Sequence, residues 1–275
     1  MRLTILGSGS SQGWPGVFCG CKFCQQARTL GGKDIRTRSG ALLGEKHKID
    51  FPPDSFAQAL RQNLDWSKLE HLFFTHAHSD HFYPAEIKMR RDSFNRPPEG
   101  KEDQGVLYIY GSESVYQGLT AVLPDLNEFG VVFHELKPFK AIKAGTVTAV
   151  PLLANHMAGD AFIYLFSQGD KTLLYALDTG WFPKATWDFL ASGPILNCVV
   201  LDATFGLGPG GGGHMGVPEV METKAELSRL GLLTDSSIVI ASHFSPHGGL
   251  NHAQLEELLS PHGISPAYDG MVTDI

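Results

Sequence analysis

A chain of 275 residues with 43% apolar and 19% charged side chains carries enough apolar material for a packed core and is too apolar for a disordered one. Its formal charge of −7 and pI near 5.9 argue against a protein that coats nucleic acid, which needs a basic field, but leave room for a small anionic substrate whose charge a metal can balance. No run approaches the roughly 20 apolar residues of a membrane span. The opening Met1-Arg2-Leu3-Thr4-Ile5-Leu6-Gly7 reads as a strand and turn rather than a secretory leader, so the expected location is the cytoplasm.

In chain order, residues 3–6 predict a first strand, followed by a Gly/Ser loop and a cysteine-rich segment. Residues 39–44 and 46–50 predict two strands, and 55–63 a helix capped by Asp54 or Ser55. Residues 71–74 form a short apolar strand, and the polar stretch 92–103 predicts an exposed loop. Strands follow at 106–110, 131–136, 146–153, 162–167, 172–177, 198–202 and 237–241, and helices at 112–122, 184–191, 219–230 and 253–259. Helices standing between groups of strands suit two sheets with helices packed outside them. Neither an internal repeat nor an interdomain linker is visible, so residues 1–275 predict a single domain.

His76, His78, Asp80 and His81 fall within six residues, directly after the apolar run Leu72-Phe73-Phe74. Imidazole and carboxylate suit zinc, manganese, nickel or iron, and the spacing favours two neighbouring metals over one. Further candidates sit just past other predicted strands: His156, Asp178 and His243. Ionisable groups placed repeatedly at the ends of buried strands imply a use for them, although each alone reads equally well as a structural residue. Asp50 and Asp202 also end strands and serve either to orient a ligand imidazole or as strand-end caps.

His76-x-His78-x-Asp80-His81, then His156, Asp178 and His243, resembles the pattern of the metallo-β-lactamase superfamily over almost the whole chain. The resemblance implies an α/β fold, an αββα sandwich of two mixed sheets with helices on the outer faces. It assigns His76, His78 and His156 to one divalent metal, Asp80, His81 and His243 to another, and Asp178 to the bridge, with Asp80 counted among the catalytic groups as well. A carboxylate at Asp178 points to the phosphodiesterase and thioesterase branches rather than to true β-lactamases.

Cys19, Cys21 and Cys24 supply three thiolates, one short of a closed tetrahedral zinc site; three free thiols are the alternative. Cys198, inside the apolar run 196–201, reads as a small core residue. The N-terminal cluster resembles the phosphoribosyl cyclic phosphate phosphodiesterases and the related quinone-biosynthesis protein B. In the former, a histidine after the last metal-site histidine completes a structural zinc, which maps to His247, with His252 in reserve. The resemblance also places a catalytic histidine after the strand ending at Asp202. His214, behind Gly208-Pro209-Gly210-Gly211-Gly212-Gly213, is the one available, in a loop whose glycines permit closure over substrate; an incidental surface histidine is the alternative. The expected activity is hydrolysis of a small or cyclic phosphodiester by a hydroxide bridging two metals, with His214 as proton donor. A thioesterase or lactonase on the same metals and a non-catalytic biosynthesis accessory are the rivals. The expected partners are a small-molecule substrate and, by resemblance, a second copy in a homodimer.

Overall fold

The computed structural model describes residues 1–91, 93–97, 100–101 and 103–275. Along the chain the strands are β1 (Arg2–Gly7), β2 (Gly40–Leu43), β3 (His47–Ile49), β4 (His71–Phe73), β5 (Leu107–Gly111), β6 (Val131–Glu135), β7 (Ile142–Ala144), β8 (Val147–Leu153), β9 (Phe162–Gln168), β10 (Lys171–Ala176), β11 (Cys198–Asp202), β12 (Ile238–Ser242), β13 (Ser265–Pro266) and β14 (Val272–Asp274). The helices are α1 (Lys22–Leu30), α2 (Ser55–Gln62), α3 (Glu113–Val122), α4 (Lys184–Ala191), α5 (Val217–Arg229) and α6 (His252–Leu259). Two seven-stranded sheets result, in the orders β14-β1-β2-β3-β4-β5-β6 and β13-β12-β11-β10-β9-β8-β7. Both are mixed: β3 to β6 and β10 to β13 pair in parallel, the remainder antiparallel.

Three buried apolar layers hold the sheets and helices together. Between the sheets lie Ile5, Ala41, Leu43 and Phe73 from one side and Tyr164, Phe166, Tyr175, Val200 and Ile240 from the other. Their chain neighbours point outward, as the two-residue period of a strand requires. Leu42, Leu72, Phe74 and Ile109 pack under Val115 and Leu119 of α3, and Leu174, Val199, Leu201 and Val239 pack under Leu190, Val220, Leu227, Leu255 and Leu259 of the other helices. Strands covered on both faces read as unbroken apolar runs, which is why 198–202 and 237–241 looked wholly buried. Cys198 is one such residue, fully buried between the sheets. This is the αββα sandwich.

The structure corrects several local expectations. The cysteine segment ends in a helix, α1, that the cluster had masked. β7, β13 and β14 are short and were not anticipated. Asp54 occupies the N-cap of α2 without capping it: its carboxylate accepts instead from the Arg38 amide (2.9 Å) and guanidinium (3.1 Å). In the expected loop 92–103 the described residues are exposed, while 92, 98, 99 and 102 lie outside the described residues.

Candidate metal centre

The strand ends converge on one edge of the sandwich. β3 runs into Asp50, β4 into His76, β8 into His156, β10 into Asp178, β11 ends at Asp202 and β12 runs into His243. Asp50 (φ 57°), Asp178 (φ 51°) and His243 (φ 65°) all adopt left-handed backbone, a conformation costing a side-chain-bearing residue about 1–2 kcal/mol. The sharp turn it makes swings each side chain from the strand direction into the gap between the sheets. Strain concentrated at strand ends is a mark of a functional site.

The ligand atoms of His76, His78 and His156 all lie within 4.8 Å of one another, and so do those of Asp80, His81, Asp178 and His243. Asp178 stands between the two groups. Its Oδ1 is 4.0 Å from His76 Nε2 and 3.9 Å from His156 Nε2, while its Oδ2 is 3.0 Å from His81 Nε2 and 3.2 Å from His243 Nε2. One carboxylate oxygen thus faces each group. His76, His81, Asp80, Asp178 and His243 are buried, and His78 is exposed, so the centre opens on the His78 side.

Surrounding residues fix which ring nitrogen His81, His243 and His156 offer. Asp50 Oδ2 accepts from His81 Nδ1 (2.7 Å), and the same carboxylate accepts the Thr75 amide (2.8 Å) and hydroxyl. Thr204 Oγ1 lies 2.7 Å from His243 Nδ1. The Gly213 carbonyl accepts from His156 Nδ1 at 3.2 Å. Each contact leaves Nε2 free to face the centre. Asp50 thus orients an imidazole and also accepts a backbone amide past its strand, and Asp202 accepts the amides of Asp178, Thr204 and Met215 as well as contacting imidazoles, so both expected roles are present. Thr75 and Thr204 were missed because a threonine beside a ligand leaves no pattern in a sequence.

The electrostatics are those of a ligand set. Burial disfavours a charged His81, but Asp178, Asp80 and Asp50 outweigh it and raise its pKa well above the ordinary histidine value. Burial works against an ionised Asp178 too, and His243 and His81 overcome it, holding the carboxyl well below its usual range. His76 Nε2 is buried with no hydrogen-bond partner, and buried Asp178 Oδ2, though 3.0 and 3.2 Å from two imidazole nitrogens, meets neither in hydrogen-bonding geometry. Buried polar atoms without partners are rare in folded proteins and call for an explanation. Five imidazoles and two carboxylates whose free lone pairs converge fit divalent cations, which take the place of protons on such ligands.

His214 stands beside this centre. Asp202 Oδ2 accepts from its Nδ1 at 2.9 Å, and its ring stacks on His243, centroids 5.4 Å apart. Burial opposes its protonation, but the hydrogen bond and charge of Asp202 prevail and raise its pKa. Two of the glycines before it are not slack: a Cβ on Gly213 would sit 2.7 Å from His156 Cα, and one on Gly210 2.8 Å from the His214 carbonyl oxygen, so here they serve close packing.

Cys19, Cys21 and Cys24 gather at one edge of α1, their sulfurs within 4.8 Å of one another. Tetrahedral zinc at about 2.3 Å from each sulfur needs them roughly 3.8 Å apart, which this cluster fits. No histidine joins the group among the described residues. His247 is exposed and lines a cleft with Cys19, Gln12 and Arg38. His252, the reserve ligand, is instead buried with its Nδ1 3.0 Å from Arg36 Nη2 and its ring edge-on to Tyr268.

An αββα sandwich whose strand ends gather histidines and aspartates defines a metallohydrolase-type centre. The chain belongs to the beta-lactamase superfamily: the superfamily's domain model matches residues 49–244. Over 99% of its length the chain aligns with 97% of a diphosphatase from the PhnP family, at 26% identity and a TM-score of 0.73. Zn(2+)-bound PqqB from Methylobacterium extorquens shares the fold end to end, covering 100% of both chains at 15% identity and a TM-score of 0.66. A stretch of 85 residues is 40% identical to part of an octanoyltransferase of Porphyromonas gingivalis, covering 30% of this chain and 16% of that protein. The chain is thus a metallo-β-lactamase superfamily hydrolase that resembles the PhnP family. Among the described residues no helix is long and apolar enough to cross a membrane.

Proposed function

We propose that the chain is a binuclear metal-dependent phosphodiesterase acting on a small or cyclic phosphodiester. The observation that carries this reading is the placement of Asp178, with one carboxylate oxygen towards each ligand group. Similarity to a diphosphatase supports phosphoryl rather than acyl chemistry. His76, His78 and His156 would hold one divalent ion and Asp80, His81 and His243 the other. Ions bound there would supply Lewis acidity towards a phosphoryl oxygen and a water acidic enough to act as nucleophile near neutral pH.

The chain's own groups do the rest. Asp178 sets the distance between the two ligand groups. Asp50, Thr204 and the Gly213 carbonyl hold the imidazoles in the tautomer that presents Nε2. His214, whose protonated form Asp202 favours, donates from its other nitrogen to the departing oxygen, while the hydrogen bond to Asp202 keeps the remaining proton on Nδ1. The three gathered thiols support a structural zinc completed by His247, which must turn towards them from its exposed position, and unbridged thiols suit a reducing cytoplasm. The homodimer belongs to this reading and is checked by sedimentation.

A second reading, hydrolysis of an acyl thioester on the same centre, is favoured by the octanoyltransferase match. A substrate panel decides. Metal-loaded protein should turn over bis(p-nitrophenyl) phosphate or ribose 1,2-cyclic phosphate. Turnover of an octanoyl thioester or a lactone without any phosphodiester would overturn the proposal.

A further inference from the structure

Single exposed apolar residues mean little on a protein surface; a group of them around a polar centre is informative. Four large apolar side chains stand exposed in the segments that carry metal-centre residues: Met157 (81% exposed), Leu207 (59%), Trp181 (43%), whose ring packs on Trp187, and Phe205 (36%). Met157 directly follows His156, and Trp181 lies three residues past Asp178. Phe205 and Leu207 sit in the loop that carries His214. Structural contacts bring these segments together. The Asn155 side-chain amide donates to the Trp181 carbonyl at 3.2 Å, and the Asn155 carbonyl accepts from the Gly180 amide at 3.0 Å. A Cβ on Gly180 would lie 3.8 Å from the His214 backbone, and one on Gly212 4.0 Å from Met157 Cε. The Phe205 and His214 ring centroids are 6.1 Å apart, those of His156 and His214 4.9 Å.

We infer that the His156–His214 side of the centre is an apolar subsite, and that the substrate is an anionic ester carrying an apolar group rather than a bare sugar phosphate. The inference rests on the hydrolytic reading only for the position of the scissile bond. The anionic end enters among the polar ligands; the apolar end lies over Met157, Trp181, Phe205 and Leu207, shedding water from both surfaces. An aliphatic chain and a flat aromatic ring share this chemistry, and the substrate series below separates them. No positively charged side chain is needed at this rim, since the apolar group supplies the binding energy there.

The test is a series of methyl, butyl, octyl and phenyl esters of 4-nitrophenyl phosphate. In each, water adds to phosphorus and 4-nitrophenolate leaves, so bond and leaving group stay constant while the apolar group changes. Each methylene buried against the rim should raise kcat/KM about three- to fourfold, giving at least a tenfold gain from methyl to octyl, or a comparable gain for phenyl if the natural group is aromatic. The double variant Met157→Ser, Leu207→Ser should bring the octyl-to-methyl ratio towards one. Phe56→Ser, an equally exposed apolar residue on α2 and 64% exposed, should leave the ratio as in the wild type. Calorimetric titration with methyl- and octylphosphonate reads the same preference without turnover. A flat series in both kinetics and binding, or a gain that survives the double variant, overturns the inference. Chain-length-dependent binding without hydrolysis of any ester would leave the inference standing and overturn the phosphodiesterase reading.

Discussion

Replacing Asp50 with Asn changes a single atom in a fully buried side chain and tests how the centre is oriented. The carboxylate accepts three hydrogen bonds: the Thr75 amide at 2.8 Å, the Thr75 hydroxyl at 3.0 Å and His81 Nδ1 at 2.7 Å. An amide offers one acceptor oxygen and one donor NH2. To offer a lone pair at Nε2, His81 must keep its proton at Nδ1, which then requires the amide oxygen. The NH2 is left facing the Thr75 amide, donor against donor. If the amide turns over, Thr75 is satisfied, but His81 must move its proton to Nε2 and can no longer serve as a ligand there. Asn tolerates the left-handed backbone of position 50 about as well as Asp, so backbone strain does not confuse the result. Losing a hydrogen bond to a charged acceptor and burying an unpaired donor should cost about 1–3 kcal/mol of stability, and the loss of orientation should weaken metal binding about 10–100-fold. Chemical denaturation of the metal-free variant reads the first, and a metal-buffered titration the second. Metal affinity within twofold of the wild type would refute the orienting role of Asp50.

Further predictions follow from other contacts. His214→Ala should lower kcat about 10²–10⁴-fold with metal content unchanged; loss of metal on mass spectrometric analysis would reassign His214 as a ligand. Gly213→Ala would drive a Cβ towards His156 Cα at a positive φ of 87°, so it should weaken metal binding at the His76–His78–His156 group before the other. A uniform loss at both groups would contradict this. Burial together with Arg36 pushes His252 down to about 4, and burial together with His47 does the same to His71. Below the unfolded value of 6.5 the unfolded chain takes up protons that the folded chain refuses until about pH 4. Stability present above pH 6.5 should therefore fall as pH drops towards 4. The variant His252→Gln should show a shallower fall in denaturation midpoint across that window, and an identical slope would count against the assignment.

Much of the fold was readable because both faces of the strands are buried. The runs at 198–202 and 237–241 have no polar alternation to hide them, and the ligands follow such strands almost at once. Asp178 and His243 stood out because several strands ended in the same chemistry, and the family resemblance then paired them with distant residues. What stayed hidden depends on three dimensions. The short β13 pairs through only two positions, Ser265 and Pro266, and has no hydrophobic period of its own. α1 was obscured because cysteine suggested metal before helix, although Cys24 and Ala27 sit on its buried face. The glycines before His214 suggested looseness, whereas Gly210 and Gly213 are required by the backbones against them. His252 read as a possible ligand by spacing, but the buried Arg36 that holds it comes from 216 residues away in the chain. The apolar rim at Met157, Trp181, Phe205 and Leu207 becomes a feature only when three separate segments are seen together.

The central claim is that Asp178 joins two metal positions which together hydrolyse a phosphodiester. Manganese tests it most directly, because Mn(II) prefers oxygen and nitrogen ligands and competes poorly for the thiols of Cys19, Cys21 and Cys24. Metal-free protein titrated with Mn(II) while it cleaves bis(p-nitrophenyl) phosphate should gain activity that levels off at two ions per chain. Levelling off at one ion, or no cleavage at any loading, would contradict the account.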